Sequence, residues 1–141
     1  MDEAQIRRRL GEVRVAHLAT NGSDGRPHIV PICFVVVSGE IFFAVDQKPK
    51  RTSDLRRLRN IAANPHVAVL ADHYEEDWNR LWWVRVDGRA RVLDAADESS
   101  ESAIDALAAR YPQYRSARPS GPVVSIHIER LSGWSATAAA P

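Results

Sequence analysis

The spacing of hydrophobic positions changes several times along the 141-residue chain, and each change marks an element. Near the start, "DEAQIRRRLGEV" sets Ile6, Leu10 and Val13 at helical spacing behind an acidic opening, which predicts a short amphipathic helix. The period then shortens. "VAHLAT", "NGSDGRP" and "HIVPICFVVV" read as strand, turn and strand, with Gly22, Gly25 and Pro27 as punctuation. "SGE" turns the chain into a third strand, "IFFAV", in a predicted antiparallel meander.

The second half repeats the logic. "NPHVAVLAD" is an apolar strand, and its Asn64-Pro65 start should stop a helix running before it. In "LWWVRVDGRARVL", Trp82, Val84 and Val86 face one way while Leu81, Trp83 and Arg85 face the other, and the pattern continues past Gly88 through Ala90 and Val92. "DESSESAIDALAARY" predicts a helix with Ile104, Leu107, Ala108 and Tyr111 inward. "VVSIHIERLSGW" alternates Val124, Ile126 and Ile128 against Ser125, His127 and Glu129. A mainly β fold follows, with about six antiparallel strands and two or three peripheral helices. Closing such a sheet into a small barrel removes its exposed edges. Residues 1–141 read as a single domain, with 135–141 a loose tail.

Composition narrows the function. The chain is 45% apolar, enough for one core, and its formal net charge of +1 argues against a general nucleic-acid binder. Cys33 is the only cysteine, which excludes an intrachain disulfide and a cysteine-based zinc site. The first thirty residues hold no apolar signal core, and no run of eighteen apolar residues occurs, so a cytoplasmic protein that neither spans nor enters a membrane is expected.

Charge is nevertheless concentrated. "KPKRTSDLRRLRN", residues 48–60, holds six of the nineteen Lys and Arg residues against one acid, Asp54. Thr52 or Ser53 is a plausible helix N-cap, and Leu55, Leu58, Ile61 and Ala62 form an apolar stripe that ends at Asn64-Pro65. Lys48, Lys50 and Arg51 then lie in the loop before a helix N-terminus, where free N–H groups and the helix dipole favour an anion. Arg56, Arg57 and Arg59 fan over the remaining surface, a distribution that suits a compact phosphate better than a polymer. A solvated helix face is the plainer reading. No aromatic residue interleaves the cluster for base stacking.

The order of these parts, with "PICF", "IFFAV", "KPKRT", "LRRLRNI", "NPHVAVL", "DHY", "DW" and "LWWVRVDGRARV", resembles the pyridoxamine-phosphate-oxidase-like split-barrel family of flavin and deazaflavin proteins. The resemblance covers roughly residues 5–134 and is nearer to the branch described as probable coenzyme F420-dependent oxidoreductases. It implies a six-stranded antiparallel split β-barrel of the FMN-binding type, and a homodimer with cofactor sites in clefts between subunits. It also implies a phosphate contact eight positions before the Pro of the "NP" turn, which is Arg57, where lysine is commoner. Arginine keeps the charge and can grip phosphate with two N–H groups. By the same resemblance Val30, Pro31 and Ile32 flank the ring, Val45 and Asp46 line the cleft, and Trp83 closes it from the partner subunit. Lys48, Lys50 and Arg51 would add contacts to an acidic coenzyme tail.

The implied activity is hydride transfer between coenzyme F420 and an unsaturated or quinone-like small molecule, with FMN as the alternative coenzyme and a non-catalytic F420 carrier as the alternative role. In such chemistry the cofactor performs the reaction and the protein supplies binding and orientation. No catalytic side chain is required, and none is assigned. His17, His28, His66, His73 and His127 are scattered without metal-ligand spacing and read as ordinary histidines, His28 being the nearest to the ring strand. The acids of "ADHYEEDWNRLWW" lack the spacing and glycine of a calcium loop, so a solvated connector is expected and no metal. Trp78, Trp82, Trp83 and Trp134 suit core and dimer anchors or a stacking wall for a flat ring. Cys33 reads as a small core residue.

Overall fold

The computed structural model describes residues 1–45, 52–94 and 96–137, and only the backbone of residues 52–55. Helix α1 (Glu3–Glu12) begins where Asp2 accepts from the Gln5 backbone N–H and Gln5 returns a side-chain bond to Asp2, a capping box. It buries Ile6 and Leu10. Strands β1 (Ala16–Asn21), β2 (Pro27–Ile32), β3 (Val35–Val37) and β4 (Glu40–Ala44) follow, then helix α2 (Thr52–Ala63). Strand β5 (His66–His73), a 3-10 turn (Trp78–Arg80), strand β6 (Trp82–Val92), helices α3 (Glu98–Arg110) and α4 (Pro112–Ser116), and strand β7 (Val123–Ser135) complete the chain.

The strands form one antiparallel sheet in the order β2-β1-β5-β6-β7-β4-β3. It curls around a core of Leu18, Phe34, Ile41, Phe43, Val69, Val84, Val86 and Ile126, the arrangement of a split barrel. Seven strands appear instead of the six expected, because "HIVPICFVVV" breaks at Cys33 and Phe34. The break is held from the opposite end of the chain. Tyr111 Oη accepts from Phe34 N at 3.0 Å, and Arg110 donates to Phe34 O at 2.7 Å. Arg110 also donates to Gly11 O at 3.0 Å and to Val13 O, tying the α1 exit to the same point. Tyr111 Oη also lies 2.9 Å from Phe34 O, so both backbone groups of buried Phe34 are satisfied from α3 and its C-cap.

Two glycine positions shape the sheet. Ser38 and Gly39 both have positive φ, 51° and 78°, in the two-residue turn between β3 and β4, a conformation that matches the twist of a hairpin. Gly88 sits where the β6–β7 register shifts; a Cβ there would lie 2.5 Å from His127 O, so the strands can approach this closely only without a side chain.

A second core cluster explains where alternation fails. Phe42, Ala44, Leu93, Ala103, Leu107, Tyr111 and Val123 pack together where α3 lies over β4 and the start of β7. Here both sheet faces are covered, and Ser125 is buried with its apolar neighbours instead of facing water. The inner face of α3 is Ser100, Ala103 and Leu107, with Ile104 and Ala108 only half-buried. None of the helices among the described residues is long and apolar enough to cross a membrane.

Candidate functional site

Helix α2 is seated by its apolar stripe. Ile61 is buried and Leu58 packs on the main core, while Ala62 is exposed. Its polar anchor is Asn60, only 6% exposed, whose Nδ2 donates to Thr20 Oγ1 on β1 at 3.0 Å. Thr20 is paired across the sheet with His28 on β2. This chain of contacts brings the first turns of α2 to the start of β2. The Arg56 and Arg57 guanidinium groups both act electrostatically on His28 there. Arg57 is half-buried, with its guanidinium 5.9 Å from the Phe43 ring centroid, so the aromatic face holds the cation at the sheet. Arg56 and Arg59 line an open cavity of about 480 Å³ between α2 and the β1–β2 turn, with Ser23, Asp24 and Asn60.

His28 is the unexpected member of this group. It lies on the inward side of β2, half-buried, and its Nδ1 is shielded from solvent with no hydrogen-bond partner. Burial lowers its pKa below the usual histidine value, and the two arginines push in the same direction, so the ring is neutral near pH 7. Buried polar atoms are nearly always partnered. An orphaned imidazole nitrogen beside two guanidinium groups is what a site missing an anionic acceptor looks like. Nothing in the sequence pattern separates His28 from the other histidines except its place next to Val30, Pro31 and Ile32.

The remaining candidate residues fall on different surfaces. Pro31 is exposed on the outer face of β2, while Val30 and Ile32 point inward, Ile32 being 4% exposed. Val30 and Ile32 therefore offer backbone to that outer face and side chain to the core. Val45 is buried at the end of β4. Asp46, Lys48, Lys50 and Arg51 lie outside the described residues. Trp83 is half-buried on β6, with Arg85 stacked 5.6 Å from its ring centroid. Across the outer face Pro31 pairs with His17, His17 with Leu70, and Leu70 with Arg85. Three strand spacings, roughly 14 Å, thus separate β2 from the strand of Trp83, too far for one small ring to touch both within a protomer.

Among the described residues that outer face is otherwise uncovered. Ile29 is 65% exposed and Leu70 37%, beside Pro27, Pro31 and Ala19. At its β1–β5–β6 side a cavity of about 380 Å³ is lined by Asn21, Pro27, His66 and Asp87. Elsewhere the chemistry is quiet. Burial pushes the Cys33 thiol pKa up, against the pull of Arg110, which makes it a poor nucleophile. Glu75 of the acidic connector pairs with His73 and, at 3.4 Å, with Arg80. No cluster of three potential metal ligands occurs among the described residues.

A family model described as pyridoxamine 5'-phosphate oxidase matches residues 2–135, nearly the whole chain. The protein belongs to the pyridoxamine 5'-phosphate oxidase family. No curated relative matches it. Solved structures reproduce the fold. A conserved hypothetical protein of Mycobacterium tuberculosis superposes with a TM-score of 0.79 at 23% identity, over 96% of this chain and 86% of that one. A FAD-binding protein of Mesorhizobium loti gives 0.73 at 22% identity, over 94% and 92%. The heme storage protein of Vibrio cholerae gives 0.71 at 17% identity, over 94% and 93%. At such identities the likeness establishes the architecture and leaves ligand choice to the site.

Against that architecture the basic end of this family member can be tested for fit to a phosphorylated coenzyme. Two guanidinium groups, one held against an aromatic ring, stand beside a buried nitrogen without a partner. The residues fit a phosphate: the arginines supply charge and forked donors, and the imidazole supplies one more donor when protonated.

Proposed function

We propose that the protein is a homodimeric oxidoreductase that holds a phosphorylated tricyclic redox coenzyme between its subunits and reduces an unsaturated or quinone-like small molecule. The observation that carries the reading is the convergence of Arg56, Arg57 and the unsatisfied His28 nitrogen at the start of β2, one end of the strand along which the ring would lie. Arg57 binds the phosphate; the backbone of Val30 to Ile32 and the Pro31 side chain form the floor for the ring. The exposed Ile29 and Leu70 suit burial against a second copy of the same sheet face. Such pairing supplies what one protomer lacks, because the partner subunit's Trp83 can close the cleft that this chain's own Trp83 is too distant to reach. When bound, the coenzyme supplies the hydride chemistry; the chain binds, orients and excludes water.

Coenzyme F420 is the first choice. Lys48, Lys50 and Arg51 belong to the same basic stretch of sequence as Arg57, more cations than one phosphate requires, and they suit the carboxylates of its tail. FMN is the second, favoured by the family match and by solved relatives named as FAD-binding proteins of Mesorhizobium loti and Mycobacterium smegmatis. A carrier without turnover is the remaining role, in keeping with the heme storage relative. Titrating purified protein with each coenzyme and following fluorescence decides among them. Tight F420 binding with accelerated oxidation by a quinone supports the first reading, FMN binding alone replaces the coenzyme, and binding without turnover leaves a carrier. Arg57→Ala should weaken binding by about 1.5–3 kcal/mol, the range for a charged hydrogen bond, and unchanged affinity would remove Arg57 from the site.

A further inference from the structure

The orphaned nitrogen of His28 has a consequence for how the coenzyme is held, and it rests on the phosphate site just proposed. Charges acting on this ring among the described residues come from one side only: Arg56 and Arg57 of α2. Its cross-strand neighbour on β1 is Thr20, which is uncharged and already accepts from Asn60. No described carboxylate acts on it. In the free protein the imidazole therefore has every reason to remain neutral: it is partly buried and faces two cations.

An anion reverses the effect of the two cations. A phosphate seated against the two guanidinium groups neutralises their field and offers an acceptor to the nitrogen that lacks one. We propose that His28 is a proton-coupled ligand of the coenzyme phosphate, taking up one solvent proton on binding and donating the resulting N–H to a phosphate oxygen. No covalent bond forms, and charge balances as the cation is created beside the anion. The sign follows from linkage. The bound state holds the proton more tightly than the free state, so affinity is highest at low pH and falls as pH rises between the two midpoints, by at most tenfold per pH unit for one proton. A permanently charged residue at this position would bind at all pH values. His28 instead makes retention of the coenzyme respond to pH near neutrality.

The test measures FMN and F420 dissociation constants for the intact wild-type protein and for His28→Gln between pH 5 and 9. Proton uptake is followed by calorimetry in two buffers of different ionisation heat. Glutamine keeps a donor but cannot titrate, so any titration of the phosphate itself is common to both proteins. The expected result is a wild-type profile that descends more steeply than the variant's, with proton uptake on binding that the variant lacks. The ¹⁵N shifts of His28, titrated with inorganic phosphate, should move towards the imidazolium at pH 7. Coenzyme binding with parallel profiles and no difference in proton uptake would overturn this proposal and leave the coenzyme site intact. Absence of binding by either coenzyme at every pH would overturn the site itself, and this proposal with it.

Discussion

The two ends of the sheet are built from similar apolar strands and treated in opposite ways. At the β7-β4-β3 end, α3 covers the outer face, so Phe42, Ala44, Val123 and Ser125 are buried along with the inward residues opposite them. At the β2-β1-β5 end no helix among the described residues covers the outer face, and Ile29 and Leu70 remain exposed at 65% and 37%. Exposed apolar side chains are common singly; these two share one face of the sheet, on β2 and β5 with β1 between them. One end is completed within the chain; the other is the face proposed to pair with a second copy. The basic site opens beside the incomplete end.

The comparison breaks most sharply at Leu107, which is fully buried under the covered end. Leu107→Ala should cost about 2–5 kcal/mol in denaturant unfolding, as large-to-small core substitutions do. A loss near the surface-substitution range of about 0.5 kcal/mol would mean that α3 does not cover the sheet as described. Tyr111→Phe removes the hydroxyl that accepts from Phe34 N and donates to the carbonyl of Arg14 or Phe34. A loss of about 1–3 kcal/mol is expected for the buried group left unsatisfied. Burial raises the Tyr111 pKa above the ordinary tyrosine value. The folded protein therefore keeps a proton that the unfolded chain releases from about pH 10 upward, and stability falls as pH rises through that range. The variant should lose Tyr111's share of this alkaline decline, which paired melts at pH 8 and 10.5 would show.

At the uncovered end the expected effects on the protomer are smaller and those on assembly larger. Ile29→Lys should leave protomer stability within about 0.5 kcal/mol, yet, on the proposed pairing of subunits, shift sedimentation from dimer to monomer. An unchanged dimer would place the subunit contact elsewhere, and the proposed origin of the cleft would go with it.

Much of the fold was legible because it rests on local period. The alternation of residues 82–92 identified β6 and its buried face, Trp82, Val84, Val86 and Ala90, without help from the rest of the chain. Helix α1 was readable from Ile6 and Leu10 behind an acidic cap. The division of "HIVPICFVVV" into two strands was not readable, since the groups that satisfy Phe34 are on Arg110 and Tyr111, 76 and 77 residues away. Ser125 misled for a similar reason: polarity predicts exposure, and only α3 overhead buries it.

The candidate site divides in the same way. A concentration of cations in residues 48–60, and with it the expectation of an anion, follow from composition and from the predicted start of a helix, both properties of neighbouring residues. That Arg57 rests on Phe43, that Val30 and Ile32 turn their side chains inward, and that His28 is left with an unsatisfied nitrogen were decided by the packing of α2 against distant strands. Periodicity and charge are written into consecutive residues, whereas burial and hydrogen-bond satisfaction depend on what the folded chain brings from elsewhere.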